Sequence, residues 1–153
     1  MSLIKRGTAK TETGGADNPL GAFTAELISD TAGLTQFGAF IEELPPGSAS
    51  SFSHWHAEED EMVLVLSGAP TLIEGDSETE LAPGDAACWK AGDAVGHCLQ
   101  NRSDHPVRYL VIGTRGPKDI ITYPQFERIL HFDRATETRV YTTLDGQPAE
   151  APY

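Results

Sequence analysis

Apolar residues come in short runs along most of this chain, and turn-forming residues separate them. The runs are Ala22–Ile28, Phe37–Leu44, Phe52–His56, Met62–Leu66, Pro70–Ile73, Thr79–Leu81, Ala86–Trp89, His97–Leu99 and Val107–Ile112. Between them lie Pro45-Pro46-Gly47, Ser67-Gly68, Glu74-Gly75-Asp76, Pro83-Gly84-Asp85, Gly92-Asp93 and Asn101–Pro106. Short runs bounded by Gly, Pro, Asn and Asp predict an all-β sandwich or barrel, because those residues supply the turns that strands need between them. No helical period interrupts this stretch. Met62-Val63-Leu64-Val65-Leu66 is apolar at every position, so both faces of that strand are expected to be covered. One face points into the barrel. The other needs a second layer, from the N-terminal arm, the C-terminal segment or another subunit.

The flanks read differently. Residues 1–20 are polar and turn-rich (Gly14-Gly15-Ala16-Asp17-Asn18-Pro19), which predicts an arm ahead of a barrel spanning residues 21–117. Residues 118–153 hold two strand-like runs, Asp119–Tyr123 and Arg139–Thr143, with a helical turn expected at Gln125–Phe132. This segment is expected to pack on the barrel as an appendage, not to form a second domain.

At 153 residues the chain has the length of one domain and can bury a sizeable core. Its 23 acidic residues outnumber 11 basic ones, for a formal charge of −12. That field repels nucleic acid and anionic membranes, so neither is an expected partner. No apolar run approaches the ~20 residues of a membrane span. The start, Met1-Ser2-Leu3-Ile4-Lys5-Arg6, lacks the apolar core of a secretory signal, so a cytoplasmic location is expected. Cys88 and Cys98 are too few for a disulfide framework and read as reduced, apolar strand residues.

Candidate chemistry begins at Ser53-His54-Trp55-His56. Residues two apart on a strand share a face, so His54 and His56 aim at one point, as a chelating pair of imidazoles would. The acidic run Glu58-Glu59-Asp60-Glu61 follows. Glu61 is the preferred carboxylate because it opens the apolar strand and shares the parity of Val63 and Val65. His97 begins the run His97-Cys98-Leu99-Gln100-Asn101, whereas His105 sits in a turn and His131 lies far outside this stretch.

From Gly47 to Gly68 the chain reads Gly, six residues, His-X-His, four residues, Glu, six residues, Gly. This resembles the first motif of the cupin superfamily, and counting back from Gly68 lands on Glu61. Gly84, Gly92, His97 and Asn101 resemble the second motif, with two departures. Lys90 stands where the family has Pro, and four residues rather than two separate Gly92 from His97. The whole chain is similar to small single-domain bacterial cupins, some of them labelled sugar-phosphate-isomerase-like.

The resemblance implies a double-stranded β-helix, or jelly-roll barrel. It also implies one divalent transition metal (Zn, Mn, Fe, Ni or Co) held by His54, His56, Glu61 and His97, with two coordination positions open. Asn101 is expected to secure a strand end. The implied function is an enzyme acting on a small molecule, of isomerase, lyase or dioxygenase type. The alternative is a non-catalytic, metal-dependent module that binds or senses a small ligand. By alternation Phe52, Val63, Val65 and Leu99 form an apolar wall. Tyr109 and Glu42 are the candidates for proton transfer, and Lys90, Arg102 and Arg108 for meeting a phosphate. A homodimer is expected, since single-domain cupins commonly pair through sheet edges or exchanged arms.

Overall fold

The apolar runs fold as strands, and every pairing between them is antiparallel. In a computed structural model, residues 3–15 and 17–152 are described; Met1, Ser2 and Ala16 of the predicted arm, and Tyr153, lie outside the described residues. The strands are β1 (Lys10–Gly14), β2 (Phe23–Leu27), β3 (Phe37–Leu44), β4 (Trp55–His56), β5 (Glu61–Ser67), β6 (Thr71–Glu74) and β7 (Ser77–Glu80). They continue as β8 (Ala86–Trp89), β9 (His97–Gln100), β10 (Val107–Thr114), β11 (Lys118–Tyr123), β12 (Arg128–Asp133), β13 (Thr138–Thr143) and β14 (Pro148–Ala149).

One sheet has the order β1-β2-β3-β10-β5-β8, a second β14-β13-β12-β11-β4, and a third β7-β6-β9. The core joins the first sheet to the third. Leu44, Val63, Val65, Trp89, Val107, Tyr109 and Val111 meet Leu72, Leu81 and Leu99 in one buried cluster. Burying these side chains supplies the main drive for folding, since apolar area removed from water is worth roughly 25 cal/mol per Å².

Two local expectations need correction. Residues 21–112 are not free of helix: α1 (Ile28–Ala32) follows β2 and stops at Gly33, which is left-handed at φ 71°. Five residues are too few to display a helical period. Gln125–Phe132 is not a helical turn either. Only Pro124–Phe126 form a 3-10 turn, and β12 then pairs with both β11 and β13, burying Leu130. The outer face of β5 is covered only in part by the described residues, which leaves another subunit as the remaining source of a second layer. Val63 and Val65 are buried, but Met62 and Leu64 are half-buried and Leu66 is 41% exposed.

The flanks take part in the sheets. The arm contributes β1, which lies along β2, and β11 hydrogen-bonds to β4. Residues of the C-terminal segment therefore extend the sheet that carries His56.

Candidate metal centre

A short β-ladder contact puts two of the predicted donors side by side. His54 N–H donates to His97 O at 3.2 Å, and His97 N–H donates to His54 O at 3.0 Å. The longer turn before His97 is taken up by hydrogen bonds within it, Asp93 N to Lys90 O and Val95 N to Asp93 O, so His97 still arrives in register. Two residues beyond His54, on the same face, His56 joins the pair. Glu61 opens β5 opposite Gly113 of β10 and Trp89 of β8.

Each histidine is anchored through Nδ1. That atom of His54 donates to Phe52 O (2.9 Å), that of His97 to Val95 O (3.1 Å), and that of His56 to Asp119 Oδ2 (2.5 Å). Carbonyls and carboxylates only accept, so Nδ1 carries the proton and Nε2 is the atom left for a ligand. The Nε2 atoms converge. His54 Nε2 lies 3.1 Å from His56 Nε2, His56 Nε2 is 3.4 Å from Glu61 Oε2, and His97 Nε2 is 3.9 Å from Glu61 Oε1. Two donors each ~2.1 Å from one ion stand roughly 3.0–3.4 Å apart when coordination is octahedral or tetrahedral. His54, His56 and Glu61 form a cluster able to hold a metal ion, and His97 faces the same carboxylate.

His97 is fixed from a second side by Trp89, whose ring stacks on the imidazole at 3.7 Å and 5°. Trp89 is steadied in turn by donating its indole N–H to Glu74 at 2.8 Å. With His97 2% exposed, its Nε2 is buried and has no hydrogen-bond partner among the described residues. Such an orphaned atom ordinarily costs about 1–3 kcal/mol. A metal ion accepting that lone pair removes the anomaly, so the donor set fits a divalent transition metal.

Electrostatics points the same way. Burial pushes His54 down to about 4 and also lowers His97, so both imidazoles are neutral with free lone pairs at neutral pH. Burial alone would raise Glu61, but the hydrogen bond and charge of His56 outweigh it and keep the carboxylate ionised. Burial would likewise lower His56, yet hydrogen bonds to Asp119 and Glu61 lift it to about 9. The space between His56 and Glu61 therefore attracts positive charge. His56, Glu59 and Asp119 also lie close together, but Glu59 is taken up by Arg134 and the Gly116 amide, and Asp119 by His56 and the Glu58 amide. That group is a supporting network.

The centre forms one wall of a cavity of about 300 Å³, small even among ligand sites, which run to roughly 300–1,000 Å³. Val63 and Leu99 line it as expected, whereas Phe52 packs on Phe126 and Val65 belongs to the core. Glu42 and Tyr109 line it too, and the Tyr109 hydroxyl donates to Glu42 Oε2. Lys90, Arg102 and Arg108 do not. Arg102 pairs with Glu78, and Arg108 with Glu26 and Glu43. Asn101 is buried, donating to Leu44 O and His105 O. His105 is exposed and His131 meets Thr142, both away from the centre. Cys88 and Cys98 are free thiols.

Comparison with known proteins gives the relationship. The cupin domain family matches residues 40–113. A crystal structure described as a sugar phosphate isomerase from a cupin superfamily, from Silicibacter pomeroyi, is 32% identical over 98% of each chain, with a TM-score of 0.88. A putative sugar phosphate isomerase from Acidithiobacillus ferrooxidans is 25% identical over 97% of this chain and 96% of its own, with a TM-score of 0.85. A polyketide cyclase from Streptomyces resistomycificus is 26% identical over 76% of this chain and 80% of its own, at a TM-score of 0.61. No curated protein matches.

Proposed function

The chain belongs to the cupin superfamily and folds as its double-stranded β-helix; from that premise we propose that it is a metal-dependent enzyme acting on a small molecule, of isomerase type. His54, His56, Glu61 and His97 would hold one divalent transition metal, which supplies Lewis acidity when bound. The observation that carries this reading is the convergence of three Nδ1-anchored histidines on Glu61, with the His97 Nε2 buried and unpartnered. A sealed structural zinc site would consist of four ligands and no adjoining space. Here three of the donors, His54, Glu61 and His97, border a cavity instead.

The chain's own residues supply proton transfer. Glu42 faces the cavity and accepts a hydrogen bond from Tyr109, and burial raises its carboxyl to about 7, although that hydrogen bond opposes the rise. A group titrating near neutrality both takes and returns protons effectively, which is what moving a hydrogen between neighbouring carbons requires. Val63, Leu99 and Trp89 exclude water from the inner wall. The isomerase descriptions of two similar structures support this reaction type over lyase or dioxygenase chemistry.

Elemental analysis of protein purified without added metal tests the centre. Near-stoichiometric metal is expected in the wild type and in His105→Ala, and its loss in His54→Ala and His56→Ala; equal retention in all four would overturn the assignment. An open site loaded with Co(II) should change its visible spectrum on adding azide. A silent spectrum would leave a structural metal and remove the enzymatic reading.

A further inference from the structure

Of the Lys and Arg residues, two line the cavity: Arg115, just beyond the end of β10, and Arg134, just beyond β12. Both are held in place from behind. Arg115 Nη1 donates to Asp30 Oδ1 at 2.8 Å and to Leu34 O at 3.3 Å. Arg134 donates through Nη2 to Glu59 Oε1 at 2.6 Å and through Nε to Gly116 O at 3.0 Å. A guanidinium has five N–H donors, more than these contacts use. Nε and Nη2 of Arg115 and Nη1 of Arg134 have no hydrogen-bond acceptor among the described residues, while the Arg134 guanidinium lies over the Phe132 ring at 5.0 Å.

The floor beside Arg115 is bare backbone. A Cβ on Gly38 would stand 3.2 Å from Arg115 Nε and 3.4 Å from Nη2, so the guanidinium rests over a position with no side chain. Gly38 pairs with Gly113, and Gly113 pairs on its other side with Glu61. Two glycines in register thus open a track across β3, β10 and β5 from Arg115 to the donor Glu61, and all four residues line the cavity. Two strand spacings make that track about 10 Å long.

We propose that Arg115 and Arg134 together receive the phosphate group of a small phosphorylated substrate whose other end reaches His54, His56, Glu61 and His97. Asp30 and Glu59 offset the two positive charges in the resting site, so recognition comes from directed N–H donors. Planar guanidinium edges match phosphate oxygens, and a group with three terminal oxygens engages two arginines at once, where a carboxylate is satisfied by one. The preformed ion pairs keep the arginines from having to be ordered when the substrate arrives.

This inference rests on the cavity being the substrate site, and its test separates it from the metal assignment. Chelator-stripped protein is titrated calorimetrically at low salt with inorganic phosphate and, in parallel, with acetate. Saturable phosphate binding is expected, at least tenfold weaker in Arg115→Gln/Arg134→Gln and unchanged in Arg102→Gln. Gly38→Ala keeps every charge but displaces the Arg115 guanidinium, and should weaken phosphate several-fold in protein whose thermal unfolding matches wild type. Equal phosphate binding by wild type and both cavity variants would overturn the proposal, and acetate binding as tightly as phosphate would overturn its phosphate specificity. Metal content is measured on the same samples before stripping. Arginine-dependent phosphate binding by protein that never held metal would keep this proposal and remove the metal centre. Full metal with arginine-independent phosphate would do the reverse.

Discussion

Asp119 and Glu42 are buried carboxyl groups with opposite fates. Asp119, 2% exposed, is penalised by burial but held below the usual carboxylate range by the His56 hydrogen bond. A carboxylate on the far nitrogen of a metal-binding histidine fixes the ring and makes it a better donor. Asp119→Asn should keep the barrel and weaken metal binding about 10- to 100-fold, measured by competition with a chromophoric chelator. Glu42 is shifted the other way, from 4.5 to about 7, chiefly by burial. Between those values the folded state holds a proton that the unfolded state has released. The stabilisation is therefore complete below pH 4.5 and is lost as pH rises through about 7. The amount is of order 3 kcal/mol. Other groups titrate in the same window, so the check is a difference: the urea midpoint of metal-stripped wild type minus that of Glu42→Gln should fall as pH rises from 4.5 through about 7.

At the level of elements, turns and alternation were the legible part. The bounds of β3 and β8 coincide with apolar runs, because turn residues stop both, Pro45-Pro46-Gly47 after β3 and Lys90-Ala91-Gly92 after β8. β1 was invisible: Lys10-Thr11-Glu12-Thr13 is exposed at each position, so no core face marks it. The cluster of His54, His56 and Glu61 was legible through spacing, since His-X-His and the Glu that opens β5 are local relations. Asp119, Arg115 and Arg134 were not, because each reaches the cavity through pairings between distant segments and nothing local distinguishes it. Of the motif glycines, Gly68 is the one whose replacement should be felt most. It has φ 82°, and a Cβ there would lie 2.7 Å from Val107 Cγ1 and 2.8 Å from Pro106 O. Gly47 has the same φ with nothing within 4 Å. Gly47→Ala should cost about 1 kcal/mol from left-handed backbone alone. Gly68→Ala, which adds a collision with backbone, should exceed ~3 kcal/mol or fail to fold. Urea unfolding of the two variants checks the ranking.

For the whole molecule, we propose a homodimer. The incompletely covered outer face of β5, with Leu66 41% exposed, and the edge position of β8 give a second copy both an apolar patch and a strand edge to cover. Light scattering at micromolar concentration should give twice the 16.5 kDa chain mass, and a monomer mass would refute the pairing. Leu66→Glu should shift the equilibrium toward monomer. The ladder between β4 and β11 has a further consequence, in the order of synthesis. All four donors have been synthesised once residue 97 is made, yet His56 gains its ladder partner Ile121 and its anchor Asp119 only later. β11 itself pairs with β12, which ends at Asp133. An ion arriving early would meet donors that are present but not yet aimed, so a metal held there would be fitted to a nearly finished chain and would not seed its folding. A chain stopped after residue 117 should bind metal far more weakly than the full chain, although it lacks none of the four donors.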